Sequence, residues 1–578
     1  MDINDINSTV ISEATSRNWK RLHSNGGEKL MSRANKQRST KTILPLEYFS
    51  NKNNIADIQR FIKFCKDKNF PIENVLYSVG VGLLKRARIL EKPHVKKHLD
   101  DTIFIQEVAD YQLPDDEFDL LGLIYQSLMP EGEKNRKGSY FTPLVVARNM
   151  TKNLDFSDGQ TFFDPCCGSG AFLLSLNGAS CSQIFGCDND TLAVMIAKFN
   201  LLLKFPDEVF DPQIVCCDFF DNAPWSSTFS FIVSNPPWGA AVFDENNKHV
   251  TTNESFSIFF EKAFKLLENE GFIRFLLPES VLNVRTHRHF RKFLLENTDI
   301  QSITRYKETF SGVQTKYIDI LSFRPERSGV KRSSSDIIKM NVFPPLLLTN
   351  SAAPSSVSKK CFYLTKNLNF NLLSDKDLEK TQKILSKRKY SLKDSVWALG
   401  IVTGDNKKHL KSRHGKGLEP IYTGKEIEAY SLKHPKRFIK YNRADYQQVA
   451  RDDIYRADEK LVYKFISKNL VFAYDNTKSL FLNSANILIP NIPGMSIKTV
   501  LAFLNSEVFN YIYKSLFGEI KILKGNLMEL PFPEISAETD KKLTSLVDEV
   551  LNGNKNAVNT INELIYNVFE IPRTSCPE

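Results

Sequence analysis

The 578-residue chain has no apolar run long enough to span a bilayer and no stretch with the order of a signal peptide. Secretion and membrane insertion are not expected, and the cytoplasm is the expected compartment. None of the nine cysteines forms a Cys-x-x-Cys pair, so the spacing of a zinc site is missing and no metal is assigned. The adjacent pairs Cys166-Cys167 and Cys216-Cys217 fall at predicted strand ends. They read as small buried residues in a reducing compartment. No repeat of fixed period is present. The GxxxxGK[ST] of a P-loop is absent, as is the full GxGxxG of dinucleotide binders. A PD…ExK nuclease pattern is also missing: after Pro114-Asp115 only "EGEK" appears, at the wrong spacing. Fused cleavage activity is therefore not expected.

Acidic residues are outnumbered, 67 against 77 Lys and Arg, for a formal charge of +10. That excess favours an anionic partner; an ordinary basic enzyme is the alternative reading. Residues 1–41 are polar and basic, and suit either a nucleic-acid contact or a solvated tail. Over 42–130 apolar residues recur at helical spacing, which predicts a small helical domain. Over 131–327 short apolar runs alternate with amphipathic stretches, as in "TFFDPCC", "AFLLSL", "QIFGCD" and "TLAVMIAKFNLLL". That is a βα series, hence an α/β fold with a mostly parallel sheet covered by helices on both faces. The polar stretch at 328–340 suits a linker. A mixed α+β body is expected over 341–578.

Two stretches carry the chemistry. In "FFDPCCGSGAFLLSL" Asp164 ends a predicted strand, and Gly168 and Gly170 let the chain turn tightly and approach a ligand. Asp188 ends "IFGCD", where an acid bonds ribose hydroxyls in nucleoside-binding sheets. Asp218 ends "QIVCCD", placed to accept from an adenine amino group with Phe219 beside the ring. Each acid taken singly also reads as a helix cap. Together they describe a ligand with an adenosine and no polyphosphate. In "FIVSNPPWGAAVF" an apolar run stops at Asn235 and two prolines follow. Proline cannot donate to a sheet ladder, so the chain leaves the sheet at the edge where open α/β sheets hold ligands. Asn235 then offers an amide oxygen, Pro236 a carbonyl, Pro237 stiffness and Trp238 a stacking face.

These residues resemble a family. "DPCCGSGAFL" looks like the S-adenosylmethionine motif of amino-methyltransferases, and "NPPW" is similar to their catalytic [DNS]PP[YFW] motif. "KGSYFTP" resembles the upstream cofactor motif of gamma-class N6-adenine DNA methyltransferases, which assigns Tyr140, Phe141, Thr142 and Pro143 to the cofactor. "DLLGLIYQSLMP" resembles the helix before that motif in type I modification subunits. "GIVTGDNKKHL", "EPIYTGKEIEAYSL", "SANILIP" and "LMELPFPEI" look like pieces of a TaqI-like target-recognition domain. The resemblance covers roughly Asp119 to Ile535. It implies a Rossmann-like S-adenosylmethionine-dependent methyltransferase sheet followed by a DNA target-recognition domain. It also implies methylation of a flipped adenine in double-stranded DNA, in restriction-modification or host DNA modification. A separate restriction endonuclease or specificity subunit is the further partner it allows. Trp238 stands where adenine enzymes more often have Tyr, and Cys166-Cys167 where Ala-Cys is usual.

Phe310, in "ETFSGVQTK", is a candidate to close the other face of the flipped base. Lys407, Lys408, Lys411, Arg413, Lys425, Lys436 and Arg437, interleaved with tyrosines, are candidate DNA contacts; a solvated basic face is the alternative for each lysine. Two rivals remain open: an amino-methyltransferase acting on RNA or protein, and a non-catalytic DNA-binding subunit of a defence complex. The Ser that cytosine-N4 enzymes generally carry in place of Asn235 is absent.

Overall fold

Phe162 and Phe163 are neighbours on one short strand, and both are fully buried. Successive side chains on a strand point to opposite faces, so this strand lies inside a sheet covered on both sides. It is β1 (Phe162–Asp164) of the computed structural model. The structure describes residues 42–99, 103–137, 141–157, 159–220, 228–238, 254–306, 316–325, 336–343, 356–518 and 520–573. The chain divides into two units, the first ending at Lys359 and the second running on from Lys360.

In the first unit the described residues form a nine-stranded sheet of order β3-β2-β1-β4-β5-β7-β6-β8-β9. Its further strands are β2 (Ile184–Asp188), β3 (Gln213–Cys216), β4 (Phe229–Ser234), β5 (Leu267–Pro278), β6 (Asp299–Tyr306), β7 (Tyr317–Phe323), β8 (Ile337–Phe343) and β9 (Ser356–Ser358). Strands β3, β2, β1, β4 and β5 are parallel neighbours, and β7 lies antiparallel between β5 and β6. The carboxyl ends of β3, β2, β1 and β4 therefore line up along one edge. This is the expected α/β sheet, with an antiparallel strand added on the β5 side.

The main helices of this unit are α1 (Ile55–Asp67), α2 (Ile72–Arg86), α3 (Leu120–Leu128), α4 (Leu144–Thr151), α5 (Ala171–Ser175), α6 (Thr191–Lys204), α7 (Ser255–Lys265) and α8 (Arg288–Asn297). Helix α6 is apolar on two sides. Its Val194, Ala197 and Leu201 join the core that holds Phe162 and Ile214. Its Ile196, Phe199 and Leu202 pack with Phe61 of α1, Leu76 of α2 and Ile124 of α3. The helices expected as a domain at 42–130 are thus a layer on α6 within the first unit. Apolar spacing identifies a buried face but not the partner that buries it.

The linker expected at 328–340 is also corrected. Residues 328–335 lie outside the described ones, but from Ile337 the chain is strand. β8 pairs parallel with β6, and β9 pairs antiparallel with β8. A polar crossover between strands has the same composition as a linker, so the boundary at Lys359 was not legible. The basic segment 1–41 lies outside the described residues.

The second unit is mixed α+β, as expected. It holds a sheet of order β10-β17-β14-β15 and another of order β11-β13-β12-β16. These are β10 (Val396–Leu399), β11 (Leu410–Lys411), β12 (Glu419–Tyr422), β13 (Phe438–Ile439), β14 (Lys460–Lys464), β15 (Phe472–Asp475), β16 (Leu480–Phe481) and β17 (Ala485–Ile489). Helices including α9 (Ile497–Asn505) and α10 (Glu507–Phe517) share a core with Leu461, Phe472 and Leu488. No described helix is long and apolar enough to cross a membrane, and no cluster of three or more His, Cys, Asp or Glu among the described residues is placed to hold a metal. No disulfide links the described cysteines. Cys167 is buried, Cys166 and Cys217 are half-buried and Cys216 is exposed. The expectation of buried pairs fails at Cys216 because β3 is an edge strand, with no neighbour beyond it among the described residues.

Candidate active site

Strand β4 ends at Ser234, and Asn235, Pro236, Pro237 and Trp238 follow directly. The Asn235 amide nitrogen donates to Thr142 Oγ1 at 3.2 Å. This bond joins the residue after β4 to the upstream motif and turns the amide oxygen the other way. The Pro237 carbonyl accepts from Ser255 Oγ. Trp238 is half-buried. Its Nε1 donates to the Leu276 carbonyl at 3.2 Å, and its ring lies 6.1 Å from that of Tyr317, tilted by 40°. Tyr317 stacks in turn on Tyr306 at 5.1 Å. Behind them Arg274 and Asp319 form a buried pair at 2.8 and 3.0 Å, and Asp319 also accepts from the Tyr306 hydroxyl at 2.6 Å. The same guanidinium donates to the carbonyls of Asn149 and Met150 on α4, which begins just after Pro143. Trp238 and the upstream motif thus rest on one buried polar cluster.

Beside Asn235 lies a cleft at the carboxyl ends of β1, β2 and β3. Of the residues singled out from sequence, Phe141, Gly168, Asp188, Asp218, Phe219, Asn235 and Pro237 line it. Pro165, Cys166, Asn189, Asp190, Cys217 and Phe259 complete the lining and were not foreseen. Its described lining residues include three aspartates and no lysine or arginine. Such a cleft suits a cationic ligand and repels a polyphosphate. The Asp188 carboxylate accepts from Gly168 N at 2.9 Å and from Asp190 N at 3.0 Å, so it braces the glycine loop as well as lining the cleft. Asp218 is exposed, two residues past the end of β3, and accepts from Phe220 N at 2.9 Å. Phe219 is buried and stacks on Phe259 at 5.4 Å.

Asp164 stands behind this lining. It is buried, and its Oδ1 accepts from Ser234 Oγ at 2.7 Å and from Cys166 N at 3.1 Å. Its Oδ2 is buried with no hydrogen-bond partner among the described residues. Burial pushes this carboxyl up to about 7, against the two hydrogen bonds that hold it down. A buried acceptor without a partner is costly, and a cationic donor in the neighbouring cleft would satisfy it. Donor chemistry, cleft charge and the glycine loop therefore fit S-adenosylmethionine. Tyr140 and Phe310 lie outside the described residues.

The N-terminal helices reach into this site, through residues that the sequence did not single out. Asp119 caps α3 by accepting from Gly122 N at 2.8 Å. It also accepts from Ser169 Oγ in the glycine loop and from Asn200 Nδ2 at 2.9 Å on α6. Tyr125 bonds Asp190 at 2.6 Å, and its ring lies 5.7 Å from that of Phe141. Phe141 covers Gly168, whose φ of +53° favours glycine. Gly122 is needed for space: a Cβ there would come within 2.7 Å of Ser169 Oγ and closer still to the Asp119 carboxylate. Gly122→Ala is expected to destabilise the protein by about 1–3 kcal/mol, read as a lower midpoint in thermal unfolding.

In the second unit the structure brings Lys425, Lys436 and Arg437 together in one cleft with Lys433 and Lys464. Lys407, Lys408, Lys411 and Arg413 are exposed on the segment around β11 and do not line it. Lys464, Phe465 and Ile466 also line this cleft and were not singled out from sequence.

Residues 116–332 match the N-6 DNA Methylase family, and residues 419–532 match the TaqI-like C-terminal specificity domain. The chain thus carries an N-6 DNA methylase domain followed by a TaqI-like C-terminal specificity domain. Among curated proteins it is 28% identical over 317 residues to the type II methyltransferase M.VspI of Vibrio sp. (strain 343), covering 53% of this chain and 74% of that one. It is 24% identical over 237 residues to the type I restriction enzyme EcoEI methylase subunit of Escherichia coli, covering 36% of this chain and 47% of that subunit. Among solved structures, the type IIL restriction-modification enzyme MmeI in complex with DNA superposes with a TM-score of 0.55 at 14% identity, covering 92% of each chain. That likeness concerns the fold.

Proposed function

We propose that this protein is a site-specific adenine DNA methyltransferase of a restriction-modification system. It would act on the exocyclic N6 amine of an adenine turned out of the duplex. The observation that carries the reading is the Asn235–Thr142 hydrogen bond beside the acidic cleft. It holds an amide, on a stiff turn, where a nucleoside-binding sheet edge meets the upstream motif. Intracellular duplex DNA is the substrate, and a separate restriction endonuclease or specificity subunit is the proposed partner.

An adenine amine is a poor nucleophile because its lone pair is delocalised into the ring. The Asn235 amide oxygen accepts one of its hydrogens and the Pro236 carbonyl the other. Two fixed acceptors draw the nitrogen toward a tetrahedral shape and aim its lone pair into the cleft. S-adenosylmethionine, when bound, supplies an electrophilic methyl there. Gly168, Asp188 and Asp218 hold the nucleoside part, Phe219 packs beside it, and Asp164 meets the cationic amino group. The amine sheds its proton after it has been methylated, so no histidine base is needed.

The Asp164 role has a pH signature. In the protein alone, the raised carboxyl keeps a proton that the unfolded chain releases at 3.8. Its contribution to stability therefore declines as the pH rises from 3.8 to about 7. A cation beside it favours the ionised form. Cofactor binding is expected to release a proton near neutral pH and to tighten from pH 6 to pH 8. Calorimetry in buffers of different ionisation heat checks this, and Asp164→Asn should abolish the Asp164-linked proton.

Trp238 is assigned to stack on the extrahelical base. Trp238→Ala is expected to lose about 1–3 kcal/mol of support for the flipped state. A mismatch opposite the target adenine lowers the flipping cost and should rescue Trp238→Ala more than it helps the parent protein. Fluorescence of 2-aminopurine at the target position reports the flip. Normal turnover and equal rescue would remove Trp238 from this role.

A further inference from the structure

We infer that Ile466 in the second unit reads the 5-methyl group of a thymine in the recognition sequence, an inference that rests on the proposed site-specific DNA methylation and takes the second unit as the part that holds the DNA. The cleft beside it, of about 830 Å³, is walled by Lys425, Lys433, Lys436, Arg437 and Lys464. Lys433 also pairs with Glu428 at 2.6 Å. Walls of this charge fit the phosphates of a duplex. Phosphate contacts position a protein but carry no sequence information; that comes from base edges.

Of the uncharged polar side chains of the cleft, Thr423 and Ser484 are engaged within the protein, while Ser412 is exposed. Thr423 Oγ1 donates to Glu426 at 2.6 Å and accepts from Lys425 N at 3.2 Å. Glu426 is buried and also accepts from Thr423 N at 2.8 Å. Ser484 Oγ accepts from Gly424 N at 3.0 Å. Ile466, by contrast, lines the cleft with 61% of its surface exposed. Isoleucine is among the residue types most often fully buried, so this exposure marks it out.

Its backbone is held firmly. Ile466 pairs with Lys521 in an antiparallel bridge. Phe465 O accepts from Ile522 N at 2.8 Å, Ser467 N donates to Ile520 O at 2.8 Å, and Phe465 N donates to Ser484 O at 3.2 Å. A rigid, branched, apolar side chain among cations makes no hydrogen bond to a base. The apolar feature that bases present in the major groove is the thymine methyl. Arg437 and the lysines remain available to phosphates or to guanine. Ile466 then distinguishes thymine from cytosine at one position.

The test uses the full chain and a duplex bearing its recognition sequence, mapped by methylation sequencing. Each thymine is replaced in turn by deoxyuridine, which removes only the methyl. The parent protein is expected to bind about fourfold more weakly at one of these positions, the effect of one buried methyl-sized group. Ile466→Ala should bind the unmodified duplex more weakly by a similar factor and show no further loss at that deoxyuridine. Its salt dependence should match the parent's, whereas Lys436→Ala should flatten it. Ile520→Ala is a control: Ile520 is equally exposed at 61% but does not line the cleft, and its methyl sensing should persist. If no thymine methyl matters, or if Ile466→Ala senses it as the parent does, the inference is overturned while the DNA reading stands. If the chain shows no salt-dependent duplex binding, the DNA reading fails and takes the inference with it.

Discussion

Asn235→Ala is expected to lower kcat by about 10²–10³, the usual effect of removing one preorganised hydrogen-bonding group from a reacting centre. Its affinity for S-adenosylmethionine should stay within about threefold of the parent's, less than 1 kcal/mol. The division follows from the geometry. Asn235 stands after β4 with its amide braced by Thr142, whereas Asp188 braces the glycine loop through Gly168 N. Asp188→Ala should show the reverse pattern, with cofactor binding lost first. Calorimetry for binding and single-turnover methyl transfer for chemistry separate the two. A variant of Asn235 that no longer binds cofactor would contradict this assignment of roles.

Asp319→Ala is expected to cost about 3–5 kcal/mol of stability, because it leaves the buried Arg274 guanidinium without its counter-charge. The loss should appear as a marked drop in the thermal unfolding of the first unit. The double variant Arg274→Met/Asp319→Leu removes both charges and should recover much of it. The pair does more than stabilise: Tyr306 bonds Asp319 and stacks on Tyr317, against which Trp238 lies. Asp319→Ala should therefore also weaken 2-aminopurine flipping. An unfolding midpoint equal to the parent's would show that the pair is not the anchor described.

The line of acids and amide along the sheet edge was legible because it lies on local signals. Asp164, Asp188 and Asn235 each end an apolar run, and parallel strands bring such ends to one edge. The order β3-β2-β1-β4 then sets them side by side, which βα alternation alone does not specify. Asp119 was not legible as a site residue. It caps α3, and its bonds to Ser169 and Asn200 arise only when three distant segments meet. The buried Arg274–Asp319 pair was equally hidden, since neither residue belongs to a motif and their contact depends on β7 inserting beside β5. The boundary error at 328–340 has the same origin: strand pairing over long separations is decided by partners, not by composition. In the second unit the density of basic residues pointed to a region that holds a basic cleft. Composition did not separate Lys425, Lys436 and Arg437, which share a cleft, from Lys407 and Lys408, which do not line it.

The central claim is that Asn235 and Pro236 present an adenine N6 amine for methylation. The most direct measurement incubates the protein with S-adenosylmethionine carrying a labelled methyl and with duplex DNA, RNA or protein, then digests the products and identifies the labelled base or residue. The account predicts label on N6-methyladenine from duplex DNA at one defined sequence, and its loss with Asn235→Ala. Label on cytosine N4, on RNA or on protein, or no transfer at all, would contradict it.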